Sequence, residues 1–379
     1  MRLIESSTLK TGMILGKPVM NEKGQVLIQS GVKITDRMVQ KLQDLRITYL
    51  YIDDEESKGI EPNYPISEET KQEAITSIQT AFEDVSEKDV VSSTLLLDRL
   101  GRGFKSTVKQ IFKDISQHHE AISLLSNAIG HDRYTFYHSL NVTIYSIAIA
   151  KELGLKEEEI VTVGLGALLH DIGKTKVPES ILNKPGKLTP EEYSEIKKHS
   201  QFGFEILRKC HEISLVSAHI AYQHHERLDG SGYPRGVKNK DIHLFAKIIA
   251  VADVFDAVTS NRIYSQAILP HEGMELIFAG AETQFDLNVI RAFRKTVAIY
   301  PSGLTVTLND GRRGIVAKQN NINSERPIIR IIEEQGKKLN IPYSIDLNKN
   351  LTATIVETST TLAGKQEKLE NNTSYYTGT

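Results

Sequence analysis

The chain has 379 residues, enough for two or three domains each with its own core; 40% are hydrophobic, 25% are charged, and the formal net charge is −2. That near-balance argues against a general binder of polymeric nucleic acid, which would be basic, and leaves open a local basic pocket for a small phosphate-bearing ligand. A single cysteine, Cys210, excludes an internal disulfide and suits a reducing compartment. No apolar run reaches the length of a membrane span and the opening Met1-Arg2-Leu3-Ile4-Glu5 does not read as a signal peptide, so a cytoplasmic location is expected.

Residues 1–54 read as a small mixed α/β module. Met13 to Val19 and Val26 to Ile28 are β-like runs joined across Asn21-Glu22-Lys23-Gly24, a hairpin turn by composition. Thr35 is placed to cap a helix carrying Met38, Val39, Leu42 and Leu45, and Leu50-Tyr51-Ile52 is a last strand. The acidic stretch Asp53 to Pro65, with Gly59 and Pro62, reads as a linker. Residues 55–130 are that linker and a helical segment, with Ile75, Ile78 and Phe82 on one face, then Val108, Ile111, Phe112 and Ile115. Gly101 and Gly103 mark an expected break, and His118-His119 reads as a solvated pair because helical neighbours point to different faces.

The chemistry concentrates in residues 131–299. His131-Asp132 reads as a helix start, with Asp132 as cap. The helix that follows carries His138, with Val142, Tyr145 and Ile149 on the same face, so His138 points inward. The helix Glu157 to Leu169 is apolar almost all round from Ile160 and delivers His170 and Asp171 to its C-terminal end, followed by Gly173-Lys174. Thr189-Pro190-Glu191-Glu192 is a capping-box helix start, and that helix is expected to place Ile196, His199, Gly203 and Ile206 on one face. A further helix with Ile213, Val216 and Ile220 runs into His224-His225-Glu226-Arg227. Leu228 to Gly236 must be a loop, and Tyr233 in it offers a ring that could stack on a base. The long helix from Leu244 carries Ile249, Asp253 and Asp256; a lone carboxylate such as Asp253 on that apolar face is costly unless paired or metal-bound. Arg262 and Tyr264 follow.

After about Tyr300 the composition turns β-like. Leu304 to Leu308, the turn Asn309-Asp310-Gly311, Gly314 to Ala317 and Ile328 to Ile332 suggest a β-rich domain over 300–357, expected to be a small barrel. Residues 358–379 are rich in Ser, Thr, Gly, Asn and Lys and read as a disordered tail.

His138, His170, Asp171, His199, His224, His225 and Asp253 fall at inward or helix-end positions of five successive helices. Any one has a bland explanation as a core or surface residue; seven in one segment do not fit core packing. Imidazoles and carboxylates without thiolates suit iron, manganese, zinc or nickel. Seven ligands exceed one tetrahedral ion that must stay open, and suit two metals bridged by Asp171. Such pairs activate water and stabilise the leaving oxygen of a phosphoryl displacement.

His170-Asp171-Ile172-Gly173-Lys174, His224-His225-Glu226-Arg227 and Gly232-Tyr233-Pro234 together resemble the HD-GYP family, a branch of the HD metal phosphohydrolases. The likeness runs from about Tyr134 to Asp286 and includes Ile181 to Thr189 and Thr283-Gln284-Phe285-Asp286. It implies an all-helical HD-type bundle as catalytic domain, and the first module also resembles one often found ahead of HD-GYP domains. With the β-rich domain read from composition after it, the expected fold is multidomain, mainly α with a small α+β module before and a small β-rich domain after. The resemblance also implies hydrolysis of cyclic di-GMP to pGpG or GMP by two divalent metals, most often iron or manganese.

Carried over by position, His138, His170, Asp171 and Asp253 would hold one metal, and His199, His224 and His225 the other, with Asp171 shared. Lys174 would contact the scissile phosphate and Arg262 the second phosphate, while Gly232, Tyr233 and Pro234 would shape the purine pocket. Where some members carry a glutamate that recruits a third metal this chain has Tyr134, which implies two metals; where many carry a second basic residue after the arginine it has Ser265-Gln266. The expected partner is cyclic di-GMP itself, with a homodimer or a signalling protein as further candidates and no membrane partner. Two other readings stand beside this one: a catalytically weak cyclic di-GMP sensor, and an HD phosphohydrolase of another cyclic dinucleotide or nucleotide.

Overall fold

The computed structural model describes residues 1–20, 26–45, 47–87, 90–118, 120–124, 131–184, 186–260, 267–320 and 323–361. The chain opens with short strands β1 (Arg2–Glu5), β2 (Ile14–Leu15), β3 (Val19–Met20) and β4 (Val26–Ile28), helix α1 (Asp36–Asp44) and strand β5 (Tyr49–Asp53). The run from Met13 to Val19 is not one strand: β2 pairs with β5, which also pairs with β1, whereas β3 pairs with β4 in a separate ribbon. The expected turn at Asn21–Gly24 lies outside the described residues. Thr35 caps α1 as anticipated, its hydroxyl accepting from the Met38 amide at 3.4 Å.

The stretch after β5 has no regular structure up to Ser67, yet it is pinned in place. The terminal ammonium of Met1 donates to the Ile60 carbonyl at 2.6 Å, Arg330 donates to the Lys58 carbonyl at 2.6 Å, and Ile60 is buried against Ile315 and Ile332. Composition alone suggests a free linker; one buried isoleucine and two cations on backbone carbonyls make it a strap joining the first module to the last.

The middle of the chain is helical: α2 (Glu68–Glu87), α3 (Val90–Gln117), α4 (His131–Glu152), α5 (Glu157–Leu169), α6 (Glu179–Leu182), α7 (Pro190–Lys197), α8 (His199–Leu207), α9 (Leu215–Gln223), α10 (Leu244–Thr259), α11 (Pro270–Ala279) and α12 (Leu287–Thr296). All of them except α6 and α7, which bury no residue, share one continuous apolar core. Helix α4 lies at its centre, packed against α2, α3, α5, α10 and α12, and every residue from His138 to Ala150 is buried. The expected break at Gly101 and Gly103 is absent, for α3 runs straight through. A Cβ on Gly101 would stand 2.5 Å from Cβ of Glu212, so that glycine serves close approach of the loop before α9 rather than a bend.

The helix that begins at Pro190 is interrupted at Lys198, and His199 opens α8 instead of continuing α7. The anticipated capping box is formed, with the Glu192 amide on Thr189 Oγ1 at 3.3 Å and the Thr189 amide on Glu192 Oε2 at 2.7 Å. Helix α4 is assigned from His131, so Asp132 falls inside its first turn and not at the cap. His119 lies outside the described residues, and His118 is half-buried rather than solvated.

Strands β6 (Thr305–Leu308), β7 (Arg313–Lys318), β8 (Ile328–Glu334), β9 (Lys337–Asp346) and β10 (Ile355–Ser359) form one antiparallel sheet in the order β10-β6-β7-β8-β9. No pairing joins β9 to β10 among the described residues, so the sheet is open where a barrel was expected. Thr358 and Ser359 belong to β10, which displaces the start of the expected tail; residues 362–379 lie outside the described residues. The sheet packs on the N-terminal module: Leu3 and Tyr51 are buried with Leu304, Val306 and Ile329, and the Leu3 amide donates to Gly303 at 2.9 Å.

Lys17 sits at the edge of this module, with its ammonium 4.9 Å from the Tyr51 ring centre. Burial, aided by Lys71 and opposed by Glu68, pushes its pKa from 10.5 down to about 8. Between those values the unfolded chain holds a proton that the folded chain has released, so this group makes stability rise with pH. Lys17→Met is expected to raise stability at pH 7 by on the order of 1 kcal/mol and to flatten the rise between pH 8 and 10.5, read from thermal melts.

Candidate metal centre

Three of the site histidines share one device. His170 and His224 are the first residues past the ends of α5 and α9, and His199 follows the end of α7 by one residue. The last carbonyls of a helix have no partner within it. Each imidazole turns back to take one of them: Nδ1 of His170 lies 2.7 Å from the Ala167 carbonyl, Nδ1 of His199 lies 2.7 Å from that of Ile196, and Nδ1 of His224 lies 2.9 Å from that of Ala221. A carbonyl only accepts, so Nδ1 carries the proton and Nε2 is left with its lone pair aimed into the space between the helices.

Asp171 lies in the middle of that space, 1% exposed. Its two oxygens face different partners. Oδ2 is 3.3 Å from Nε2 of His170 and 3.8 Å from Nε2 of His138, while Oδ1 is 3.4 Å from Nε2 of His199. Asp253 spans the same gap from α10, with Oδ1 3.1 Å from Nε2 of His138 and Oδ2 3.9 Å from Nδ1 of His225. The potential ligand atoms fall into two groups, each within 4.8 Å: His138, His170 and Asp171, and His199, His224 and His225.

Two observations test whether divalent metals suit these residues. Nε2 of His199 and Nε2 of His224 stand 3.3 Å apart with their lone pairs converging, a repulsive arrangement unless a proton or a cation lies between them. Burial pushes His199 down to about 4 and His224 well below the ordinary imidazole range, so a proton is disfavoured there at neutral pH and a cation fits. Also, Nε2 of His170 and Oδ1 of Asp171 are buried without a hydrogen bond among the described residues, a costly state for polar atoms that is relieved by coordination. The donor set of imidazoles and carboxylates without sulfur matches first-row transition metals.

The electrostatics are those of a charged, largely buried site. Burial would raise the Asp171 carboxyl, but Lys174, His170 and His199 outweigh it and hold it well below the usual carboxylate range. Lys174 donates to Asp171 Oδ2 at 2.6 Å, and its side chain keeps 30% exposure, so the ammonium faces both the carboxylate and solvent. Burial opposes protonation of His138, yet its bonds to Asp253 and Asp256 raise it. Burial and the neighbouring His224 keep His225 far below the usual imidazole range.

A model of the HD domain matches residues 106–289, and a model of a KOW domain associated with HD domains matches residues 305–363. The chain is 38% identical over 238 residues to the cyclic di-GMP phosphodiesterase PA4108 of Pseudomonas aeruginosa, covering 63% of this chain and 57% of that protein. It is 43% identical over 145 residues to the cyclic di-GMP phosphodiesterase response regulator RpfG of Xanthomonas campestris, covering 38% of each. It is 43% identical over 155 residues to the 3'3'-cGAMP-specific phosphodiesterase 1 of Vibrio cholerae, covering 41% of this chain and 36% of that protein.

The HD domain match over residues 106–289 and the relatives named cyclic di-GMP phosphodiesterases agree with the resemblance to the HD-GYP family. The helical HD-type domain is followed by a strand-rich KOW-like domain. The chain spans 57% of the length of PA4108 and under two fifths of each of the other two.

The Gly232-Tyr233-Pro234 motif lies directly against the second histidine group. Tyr233 stacks on the His225 ring, centroids 4.6 Å apart and planes 26° apart, so a histidine covers one face of the ring that could stack on a base. A Cβ on Gly232 would lie 2.4 Å from both the Arg227 amide nitrogen and the His225 carbonyl oxygen, which restricts that position to glycine. Pro234 follows across a cis peptide. Arg262 lies outside the described residues, as do Tyr264, Ser265 and Gln266; Tyr134 falls in the first turn of α4.

The sequence reading named two further buried residues, Glu226 and Asp256, without giving either a role. Glu226, 2% exposed, accepts from the Arg235 amide at 2.9 Å and the Val237 amide at 3.1 Å, which ties the loop to the end of α9. Asp256 binds Nδ1 of His138 at 2.7 Å. Its spacing, one turn after Asp253 on the same helix, is the signal that could have found it. Gly173 presses on α8: a Cβ there would stand 2.0 Å from the His199 carbonyl oxygen and 2.4 Å from the Gly203 amide nitrogen. Gly173→Ala is therefore expected to destabilise the protein by about 2 kcal/mol and to lower its metal uptake, because α8 carries His199; chemical denaturation and metal analysis check both.

Proposed function

We propose that this chain is a metal-dependent phosphodiesterase that hydrolyses cyclic di-GMP to pGpG and/or GMP at a binuclear centre. The observation that carries the reading is the carboxylate of Asp171, one oxygen facing His138 and His170 and the other facing His199. His138, His170, Asp171 and Asp253 would hold one ion, and His199, His224 and His225 the other, with Asp171 common to both. Two divalent ions, iron or manganese, would supply there an activated water and a Lewis acid for the leaving oxygen.

The chain's own residues do the rest. The three helix-end imidazoles are oriented by their carbonyl bonds, which leave Nε2 of each as the atom that would ligate. Lys174, partly open to solvent beside Asp171, neutralises charge that develops on the scissile phosphate. Arg262 would take the second phosphate, and the Gly232-Tyr233-Pro234 loop, tied down by Glu226, would bound the purine pocket. In this reading residues 131–299 are the catalytic domain, 1–54 and 300–357 are accessory modules joined through 55–130, and the protein works in the cytoplasm. No described helix is long and apolar enough to cross a membrane.

Relatives that include a 3'3'-cGAMP-specific enzyme support a second reading, in which a mixed purine dinucleotide is the substrate. Metal-loaded protein incubated with cyclic di-GMP, 3'3'-cGAMP and cyclic di-AMP, with products resolved by chromatography, decides between them. Preferential turnover of cyclic di-GMP is expected. Binding without turnover would instead identify a sensor. His170→Ala and Asp171→Ala are each expected to abolish turnover and to reduce bound metal; unchanged metal content in both would defeat the assignment.

A further inference from the structure

Of the four histidines whose Nδ1 partners are described above, three borrow an orphan carbonyl at a helix end. His138 cannot. It sits in the middle of α4, where the backbone carbonyls around it are already committed to the helical ladder. Its Nδ1 bonds instead to a carboxylate from another helix, Oδ2 of Asp256 on α10, at 2.7 Å.

Asp256 is itself held. Its other oxygen accepts from Nδ2 of Asn141 at 2.8 Å and from the Ser260 hydroxyl at 3.2 Å. Asn141 follows His138 by one turn of α4, and Ser260 follows Asp256 by one turn of α10, so both helices contribute to fixing one carboxylate. Asp256 and Asn141 are 2% and 3% exposed. A buried carboxylate is unfavourable unless several donors meet it, and here three do. With Nδ1 so engaged, Nε2 of His138 is turned to Asp253 at 3.1 Å and Asp171 at 3.8 Å.

The geometry points to Asp256 as a positioning residue for the metal centre: through Nδ1 it fixes the tautomer and ring plane of His138 and makes Nε2 a stronger ligand, with Asn141 and Ser260 holding the carboxylate in place. This rests on the reading of His138 as a metal ligand. It makes α10 contribute twice, through Asp253 beside the cations and through Asp256 behind the ligand. Outer partners of this kind change metal affinity by about ten- to a hundredfold when removed.

The test is titration of metal-stripped full-length protein with Mn2+, followed by calorimetry, for wild type, Asp256→Ala and Asp256→Asn. One of the two binding steps is expected to weaken by about ten- to a hundredfold in Asp256→Ala, with the other step little changed, and Asp256→Asn is expected to fall between that variant and wild type because it keeps one acceptor but loses the charge. A carboxylate that merely clamps α4 to α10 would lower the melting temperature of the metal-free protein and leave both affinities alone. Folded Asp256→Ala with both affinities within about threefold of wild type overturns the assignment. Should that variant fail to fold, Asp256→Asn decides on the same criterion. If wild type takes up no Mn2+, the metal reading falls and this assignment with it; normal uptake by wild type and by the variant removes only the role of Asp256.

Discussion

The candidate centre depends on a simple constraint: a helix ends with carbonyls it cannot satisfy. Placing a histidine at the end of α5, of α7 and of α9 satisfies one such carbonyl each time and fixes each ring with a proton on Nδ1. The lone pairs of three Nε2 atoms are then delivered to a common volume, without any side chain spent on orienting them. Everything else in the site follows from how these helix ends are brought together.

What brings them together is the apolar core around α4. Helix α4, buried from His138 to Ala150, packs against α5 and α10, and that packing brings both Asp171 and Asp253 to Nε2 of His138. Tight glycine contact between the segment after α5 and α8 brings His199 to the other oxygen of Asp171. The two buried carboxylates that result, Asp171 and Asp253, are unfavourable without compensating charge. Lys174 gives part of it, and the arrangement of His199 and His224, with converging lone pairs, calls for cations to supply the remainder.

The flanking modules are less separate than composition suggests. The N-terminal strand β1 bonds to Gly303, the strap after β5 is fastened by Arg330, and Leu3 and Tyr51 are buried in the core of the C-terminal sheet. The two ends of the chain thus form one structural body beside the helical domain. The two modules share buried apolar residues as well as these polar bonds.

The sequence by itself determined the helices that carry His138, end at Leu169 and start at Leu244, the caps at Thr35 and Thr189, and the residue types of the site, because periodicity, capping chemistry and clustered imidazoles are local properties. It misread Gly101 as a break, the Met13–Val19 run as one strand, α7 and α8 as one helix, and the C-terminal sheet as a barrel, since each turns on which distant segment packs nearby. That Asp171 divides its oxygens between two histidine groups, that Tyr233 lies on His225, and that Asp256 stands behind His138 were decided only by tertiary structure. Those are contacts between residues from 8 to 118 positions apart. No local pattern encodes a distance of that kind; the shared apolar core does.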